Sequence, residues 1–557
     1  MSALTPAAAR SGGEILVAAL AINGVDVVFG VPGESYLAAL DALRDSPIRY
    51  VNARHEAGAA NMAEADGKLT GRPGVCFTTR GPGAAQGSVG VHSAQQNSTP
   101  MLYLVGQVPL AEIGREALQE VDHVSMFTPL AKWAVQVDSA ARIPEIISRA
   151  VTVAVSGRPG PVVVSLPEDV LAQRAAAADL PAAAAARSAP PPAALAQVRE
   201  RLRAARRPLL IVGGGGWSAG VAAAAQAFAE ASDLPLLCSF RCQDFADTRS
   251  PAYCGHLTTH NDPALEDRVR DADLLLVVGD RLGDVTTRGY TLVAAPVPRQ
   301  QLIHVHPDPC EIGRVFAPAL GLVSDCAEFF AAIEPVDGRA WAPWREDARA
   351  DFLAWSAATP APVALDLAAV VASAGARLGG GAIWVNDAGN FSAWVSRHLP
   401  FQRYRSQLMP ESGAMGYAVP AAVAAKLRHP DLPVVCFVGD GGFQMSALEL
   451  ATAAQEGAAI IVIVVNNGMY GTIRMFQERA YPGRVVGTRL HNPDFAALAR
   501  ACGAAGEVIE RTEQFLPAFE RALAAPHSTV LDLLVDPEAI TPTETIAGIR
   551  AAASARR

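Results

Sequence analysis

Residues 434–471 read VVCFVGDGGFQMSALELATAAQEGAAIIVIVVNNGMYG. The run Val434 to Val438 predicts a buried strand, and Ile460 to Val465 predicts a second one. Between them, Gly441 and Gly442 let the backbone turn sharply and approach a ligand that side chains would keep away. Ser446 and Glu449 spell the S-x-x-E of a capping box, and Gly457 is placed to end the helix they open. Asp440 stands where the first strand stops. A helix that starts beside an acidic side chain suits a diphosphate bridged by a divalent cation, with backbone amides facing the anion and Asp440 on the metal. Magnesium takes oxygen ligands and completes its octahedron with phosphate and water, and Asn467, ending the next strand, can offer an amide oxygen.

The same alternation of short β-rich runs and Ala/Leu-rich helical runs continues through the chain. It predicts an α/β protein of mostly parallel sheets covered by helices. Strands are expected at Val75 to Thr78, Met101 to Val105 and Val162 to Leu166. Further strands are expected at Leu209 to Val212, Leu274 to Val278, Leu302 to Val305 and Ile383 to Val385. Ala/Pro-rich stretches around 175–194 and 335–362 read as linkers, giving domains at 1–175, 195–335 and 362–557. Val75-Cys76-Phe77 before a Gly-rich turn echoes Val435-Cys436-Phe437 before another.

The chain has 557 residues, more than one core usually organises. Half the residues are hydrophobic, yet Gly, Pro or charge interrupts every apolar run before it reaches bilayer length. The opening MSALTPAAAR lacks the apolar core of a secretion signal, so a cytoplasmic location is expected. Net charge is −9 with no basic run, which points away from nucleic acid and toward small-molecule ligands. The eight cysteines form no CxxC pair and read as buried free thiols.

Taken together, FGVPGESYLAALDAL, RGPGA, GQVP, LQE, SGRPGPV, LPED, GDGGF and NNGMYG resemble the acetolactate synthase-like branch of the thiamine-diphosphate enzymes, across all three domains. The resemblance implies pyrimidine-binding, central and diphosphate-binding domains in that order. It implies thiamine diphosphate and Mg²⁺, with Asp440, Asn467 and the main-chain carbonyl of Met469 as metal ligands. Pro32, Asn390, Gly441, Gly442, Tyr470 and Gly471 would contact the cofactor. Glu56, in the H-E motif, would hydrogen-bond the pyrimidine nitrogen, which needs a carboxyl shielded from water. Met415 would wedge the cofactor into a V, and the Gly413 carbonyl would accept the pyrimidine amino group. The implied activity is decarboxylation of a 2-oxo acid with ligation of the retained carbon to a second carbonyl compound, in a homodimer or homotetramer whose active sites lie between subunits.

Departures from the branch concern the substrate. Leu118-Gln119-Glu120 replaces the usual Phe-Gln-Glu, Glu168 replaces a Lys, and Phe476 stands where a substrate-selecting Trp is aligned. Leu118, Gln119, Glu168 and Phe476 are therefore the expected substrate pocket, with Gln119 near the reacting atoms. His304-Val305-His306-Pro307-Asp308 replaces H-I-D-I-D in the region that holds a non-redox flavin. Arg158 matches a flavin-contacting position, whereas Gly213 to Gly216 reads equally as a tight turn, so FAD stays open. No His-His pair accompanies His123, and Ile473 occupies the place of a decarboxylase glutamate, which favours ligation over aldehyde release. The alternatives are a decarboxylase or acyloin lyase of a larger or aromatic 2-oxo acid, similar to benzoylformate decarboxylases, and a catalytically silent cofactor-binding partner subunit.

Overall fold

The computed structural model describes residues 8–358, 361 and 363–556. The first seven residues of the opening segment, and Pro362 at the expected start of the last domain, lie outside them. Contacts divide the chain into residues 1–186 with 423–428, and residues 187–422 with 429–557.

In the first unit, β1 (Arg10–Ser11) pairs antiparallel with β8 (Arg174–Ala175). The main sheet is formed by β2 (Val27–Gly30), β3 (Arg49–Asn52), β4 (Gly74–Thr78), β5 (Met101–Gln107), β6 (Trp133–Gln136) and β7 (Pro161–Pro167). These run parallel in the order β3-β2-β4-β5-β7-β6. β4, β5 and β7 are buried along their whole length, as expected of strands covered on both faces. The helix Glu56–Thr70 starts on His55, whose Nδ1 accepts from the Ala57 N–H at 3.1 Å. Its small residues serve packing. A Cβ on Gly90 of the helix Pro82–Asn97 would stand 2.4 Å from the Ala60 Cβ, and one on Gly74 would stand 1.8 Å from the Ala63 carbonyl oxygen. Backbone cannot retreat as a side chain can. Gly74→Ala should therefore cost about 1–3 kcal/mol, read as a lower midpoint in urea unfolding.

The second unit holds two sheets. The central one uses β9 (Pro208–Val212), β10 (Leu236–Cys238), β11 (Tyr253–His256), β12 (Leu274–Val278), β13 (Gln301–His306) and β14 (Leu320–Val323), parallel in the order β11-β10-β9-β12-β13-β14. That is the doubly wound 3-2-1-4-5-6 order. The last sheet uses β15 (Ile383–Asn386), β16 (Gln407–Leu408), β17 (Val434–Gly439), β18 (Ile461–Asn466), β19 (Ala505–Ile509) and β20 (Thr529–Leu534), parallel in the order β16-β15-β17-β18-β20-β19. The two sheets are tied by buried amides: the Gln243 N–H donates to Gln407 Oε1 and Gln407 Nε2 donates to Gln243 Oε1, both at 2.9 Å.

Ranked along the chain, the first and last sheets share one order: second, first, third, fourth, sixth, fifth. Cys76 on β4 and Cys436 on β17 both sit on the third strand, fully buried. The sequence echo thus marks equivalent positions in two sheets of one topology.

Three expectations need correction. The stretch 335–362 is not a linker through most of its length. Ala342–Ser356 is a helix, Trp341 is buried, and Trp344 Nε1 donates to the Pro208 carbonyl at 3.1 Å, because the aromatic side chains pack against the central sheet. Ser446 caps nothing. The helix begins at Asp440 directly from the strand, breaks after Ser446, and resumes at Glu449 with Leu448 as an uncapped start, while Glu449 Oε2 accepts from the Thr452 hydroxyl at 2.6 Å. Gly457 does end it, in the left-handed region. None of the eight cysteines is in a disulfide among the described residues, but Cys310 is exposed and Cys502 half-buried.

Candidate functional site

Parallel doubly wound sheets bind ligands beyond the carboxyl ends of their strands, where strand order reverses. In the last sheet that point lies between β15 and β17. A cavity of about 580 Å³ opens there, lined by the loops that leave β15, β17 and β18. It gathers ten of the residues selected from sequence: Asn390, Gly413 and Met415, then Asp440, Gly441 and Gly442, then Asn467, Met469, Tyr470 and Gly471.

Asp440 is 2% exposed. Its Oδ1 accepts from the Gly441 N–H at 2.9 Å, and its Oδ2 accepts from the Gly468 N–H and from Asn492 Nδ2, each at 2.8 Å. Burial raises its pKa, and the hydrogen bond from Asn492 and the backbone amides work against that rise. Asn492 also donates to Asn466 Oδ1 at 2.8 Å, so it joins the ends of β17 and β18. Asn467 Oδ1 accepts from the Met469 N–H at 3.2 Å, and Asn390 Nδ2 donates to the Ile540 carbonyl at 2.7 Å.

Glycine is required where the loops meet. A Cβ on Gly441 would stand 2.4 Å from Tyr470 Cε1 and 3.3 Å from Met415 Cε, and one on Gly471 would stand 2.5 Å from Asn390 Oδ1. Overpacking of this kind costs about 1–3 kcal/mol. Gly441→Ala should therefore weaken thiamine diphosphate binding by roughly tenfold or more, measured by calorimetry, as Tyr470 is pushed into the cavity.

Asp387, which the sequence reading missed, is fully buried. Its Oδ2 accepts from the Gly416 N–H at 2.9 Å, and burial pushes its pKa up to about 6. It holds the turn that presents Met415, and a Cβ on Gly442 would stand 2.9 Å from its Oδ2. A strand followed at once by an acid, VND against FVGD, is the signal that could have flagged it. Asn492, 52 residues from Asp440, carries no such local mark.

The remaining predicted residues lie elsewhere. Phe476 is on the helix Gly471–Ala480, half exposed and outside the cavity lining, whereas Ile473 on the same helix does line it. In the first unit, Pro32 is exposed after β2 and Glu56 is half-buried at its helix start. Leu118 is 77% exposed, and Gln119 adopts a left-handed backbone (φ 66°) with its buried Oε1 unpartnered among the described residues. Glu168 Oε2 accepts from Arg80 Nη1 at 2.9 Å.

Arg158, a flavin-contact candidate, donates through Nε to Ser98 Oγ at 2.9 Å and through Nη2 to the Gln95 carbonyl at 2.5 Å, which ties its loop to the C-terminal end of the helix Pro82–Asn97. Gly213 and Gly214 are closed down on protein: Cβ atoms there would stand 1.8 Å from Ser239 Oγ and 2.1 Å from the Gly279 carbonyl oxygen. That is the tight-turn reading of this loop.

Among the described residues no group of three or more His, Cys, Asp or Glu could hold a metal. A site of one carboxylate, Asp440, with the Asn467 amide oxygen and the Met469 carbonyl fits magnesium only when diphosphate and water fill the other positions, the arrangement that ion prefers. No helix of the described residues is long and apolar enough to cross a membrane.

Three family models match the chain. "Thiamine pyrophosphate enzyme, N-terminal TPP binding domain" matches residues 10–126, "Thiamine pyrophosphate enzyme, central domain" matches 195–333, and "Thiamine pyrophosphate enzyme, C-terminal TPP binding domain" matches 387–533. The acetolactate synthase isozyme 2 large subunit of Escherichia coli K12 is 31% identical over 532 residues, covering 94% of this chain and 96% of the relative. The acetolactate synthase large subunit of Corynebacterium glutamicum is 32% identical over 556 residues, covering 95% and 87%. The probable acetolactate synthase large subunit of Methanocaldococcus jannaschii is 28% identical over 553 residues, covering 95% and 93%. Three parallel-sheet domains in this order, with these relatives along nearly the whole length, establish that the chain belongs to the thiamine pyrophosphate enzymes, in their acetolactate synthase-like branch.

Proposed function

We propose that this protein is a thiamine-diphosphate and Mg²⁺ dependent carboligase that decarboxylates a 2-oxo acid and joins the retained acyl carbon to a second carbonyl compound. The observation that carries the reading is the single cavity in which Asp440, Asn467, Met469, Met415 and Gly413 meet at the carboxyl edge of the last sheet. When bound, thiamine diphosphate supplies the electron sink that lets a 2-oxo acid lose carbon dioxide.

The chain's own groups then have distinct tasks. Asp440, Asn467 and the Met469 carbonyl hold the magnesium, and Gly441 and Gly442, having no side chains, let the diphosphate approach the backbone at the helix start. Met415 separates the two rings, and the Gly413 carbonyl orients the pyrimidine. Glu56 holds the proton shared with the pyrimidine nitrogen, and Gln119 positions the reacting carbonyl. The proposed assembly is a homodimer or homotetramer in which Glu56 and the diphosphate site come from different copies. Exposed apolar side chains at Met445, Leu448, Ile473, Phe476, Tyr481 and Val486 support it. Eight cysteines, none of them in a disulfide among the described residues, fit a reducing, cytoplasmic setting. No step of the proposal passes through FAD.

Product analysis tests the reading. Purified protein with thiamine diphosphate and Mg²⁺ is given pyruvate or benzoylformate, with and without an aldehyde. Ligated products are expected. Free aldehyde as the main product from benzoylformate would favour the decarboxylase alternative, and no carbon dioxide from either acid would favour the silent partner subunit.

A further inference from the structure

In the first sheet, strand order reverses between β2 and β4, so its ligand crevice lies between the loops that follow those two strands. The first loop carries Glu34, and the second carries Arg80 and Gly81. Two more segments close on the same place. A Cβ on Gly81 would stand 2.5 Å from the Gln119 carbonyl oxygen, and one on Gly83 would stand 3.3 Å from Glu56 Oε1. The cluster around Glu56 and Gln119 therefore includes Arg80.

The Arg80 guanidinium is committed. Nη1 donates to Glu168 Oε2 at 2.9 Å, and Nη2 lies 3.2 Å from Glu34 Oε1. Its side chain is 11% exposed, and Nε, shut off from solvent, has no partner among the described residues. Glu34 and Glu168 remain 57% and 38% exposed. The carboxylates are thus more open to a ligand than the Arg80 guanidinium they hold.

This charge order bears on the two substrates unequally. The carboxylate of the donor 2-oxo acid departs as carbon dioxide and needs no lasting counter-charge. A carboxylate on the acceptor persists into the product and must be held throughout. Beside Glu34 and Glu168 it would meet like charge, and like-charge juxtaposition excludes a partner more strongly than a lost contact does.

We propose, resting on the carboligase reading above, that the acceptor is a neutral carbonyl compound, an aldehyde or uncharged ketone, and that Glu168 and Glu34 set this specificity by occupying Arg80. In the reaction the C1–C2 bond of the donor breaks and carbon dioxide leaves. The electron pair left at C2 forms the new bond to the acceptor carbonyl carbon, and the acceptor oxygen takes up one proton, giving a 2-hydroxy ketone.

The test uses holoenzyme with whichever donor, pyruvate or benzoylformate, is decarboxylated, and offers propanal and 2-oxobutyrate together at equal concentration. The propanal adduct should exceed the 2-oxobutyrate adduct by about tenfold or more. Glu168→Gln and Glu34→Gln, made separately so that each leaves Arg80 one carboxylate, should each narrow that ratio by about tenfold. A wild-type preference for 2-oxobutyrate overturns the inference, as does a ratio unmoved in both variants, while normal carbon dioxide release leaves the carboligase reading standing. No carbon dioxide from either donor overturns both.

Discussion

Asp440→Ala is expected to abolish Mg²⁺-dependent binding of thiamine diphosphate, seen as loss of the calorimetric signal that wild-type protein gives when cofactor is added with the metal. The effect should be large because Asp440 has two functions. It is the only carboxylate in the proposed magnesium set, and its oxygens also accept from Gly441, Gly468 and Asn492. Removing the side chain strips the metal of its anionic ligand and leaves three donors at the ends of β17 and β18 without their acceptor. A buried donor left unpaired costs about 1–3 kcal/mol, so the loops that form the cradle should also loosen. Asp440→Asn keeps the shape and should retain part of that order while still losing the metal. If Asp440→Ala binds thiamine diphosphate with wild-type affinity, the cofactor site has been wrongly placed.

Glu56→Ala should have the opposite signature. Turnover is expected to fall by about 10²–10⁴, the range over which a positioned proton-transfer group acts. Cofactor affinity should change little, because the cavity proposed to hold the diphosphate is lined wholly by the second unit. Calorimetry and carbon dioxide release, measured on the same preparation, separate the two effects. A variant that binds cofactor normally and turns over normally would remove Glu56 from the chemistry. One that fails to bind would make it a structural residue.

The two variants also separate what each part of the fold contributes. On the proposed reading the second unit holds the cofactor without Glu56. The same reading has turnover need Glu56 as well, arriving from another copy in the proposed assembly. Activity should therefore fall on dilution below the dimer dissociation constant.

Much of the architecture was legible before any coordinates. The strand readings at Leu274–Val278, Val434–Val438 and Ile383–Val385 coincide with observed strands to within a residue. Strands buried on both faces must be apolar throughout, and glycine turns bound them sharply, so the pattern is strong without any alternation. The GDGG turn was equally readable, because only glycine tolerates Tyr470 and Asp387 at the distances found beside Gly441 and Gly442.

Local rules failed where tertiary packing competed with them. The S-x-x-E at Ser446 and Glu449 is a valid capping pattern, yet the helix already begins at Asp440, where the strand delivers the chain, and Glu449 turns to Thr452 instead. The Ala/Pro composition of 335–362 suggested a linker, but Trp341 and Trp344 bury enough apolar surface against the central sheet to order a helix there.

By itself the sequence determined the three parallel-sheet domains and the family they belong to, and it singled out ten residues that meet in one cavity. These depend on backbone turns and donor types that short segments carry within themselves. Only the tertiary structure decided that Asn492 braces Asp440 from 52 residues away and that Arg80 is neutralised by Glu168, 88 residues distant. Charge and hydrogen-bond pairing depend on distance in space, and chain order does not encode which loops will share a sheet edge.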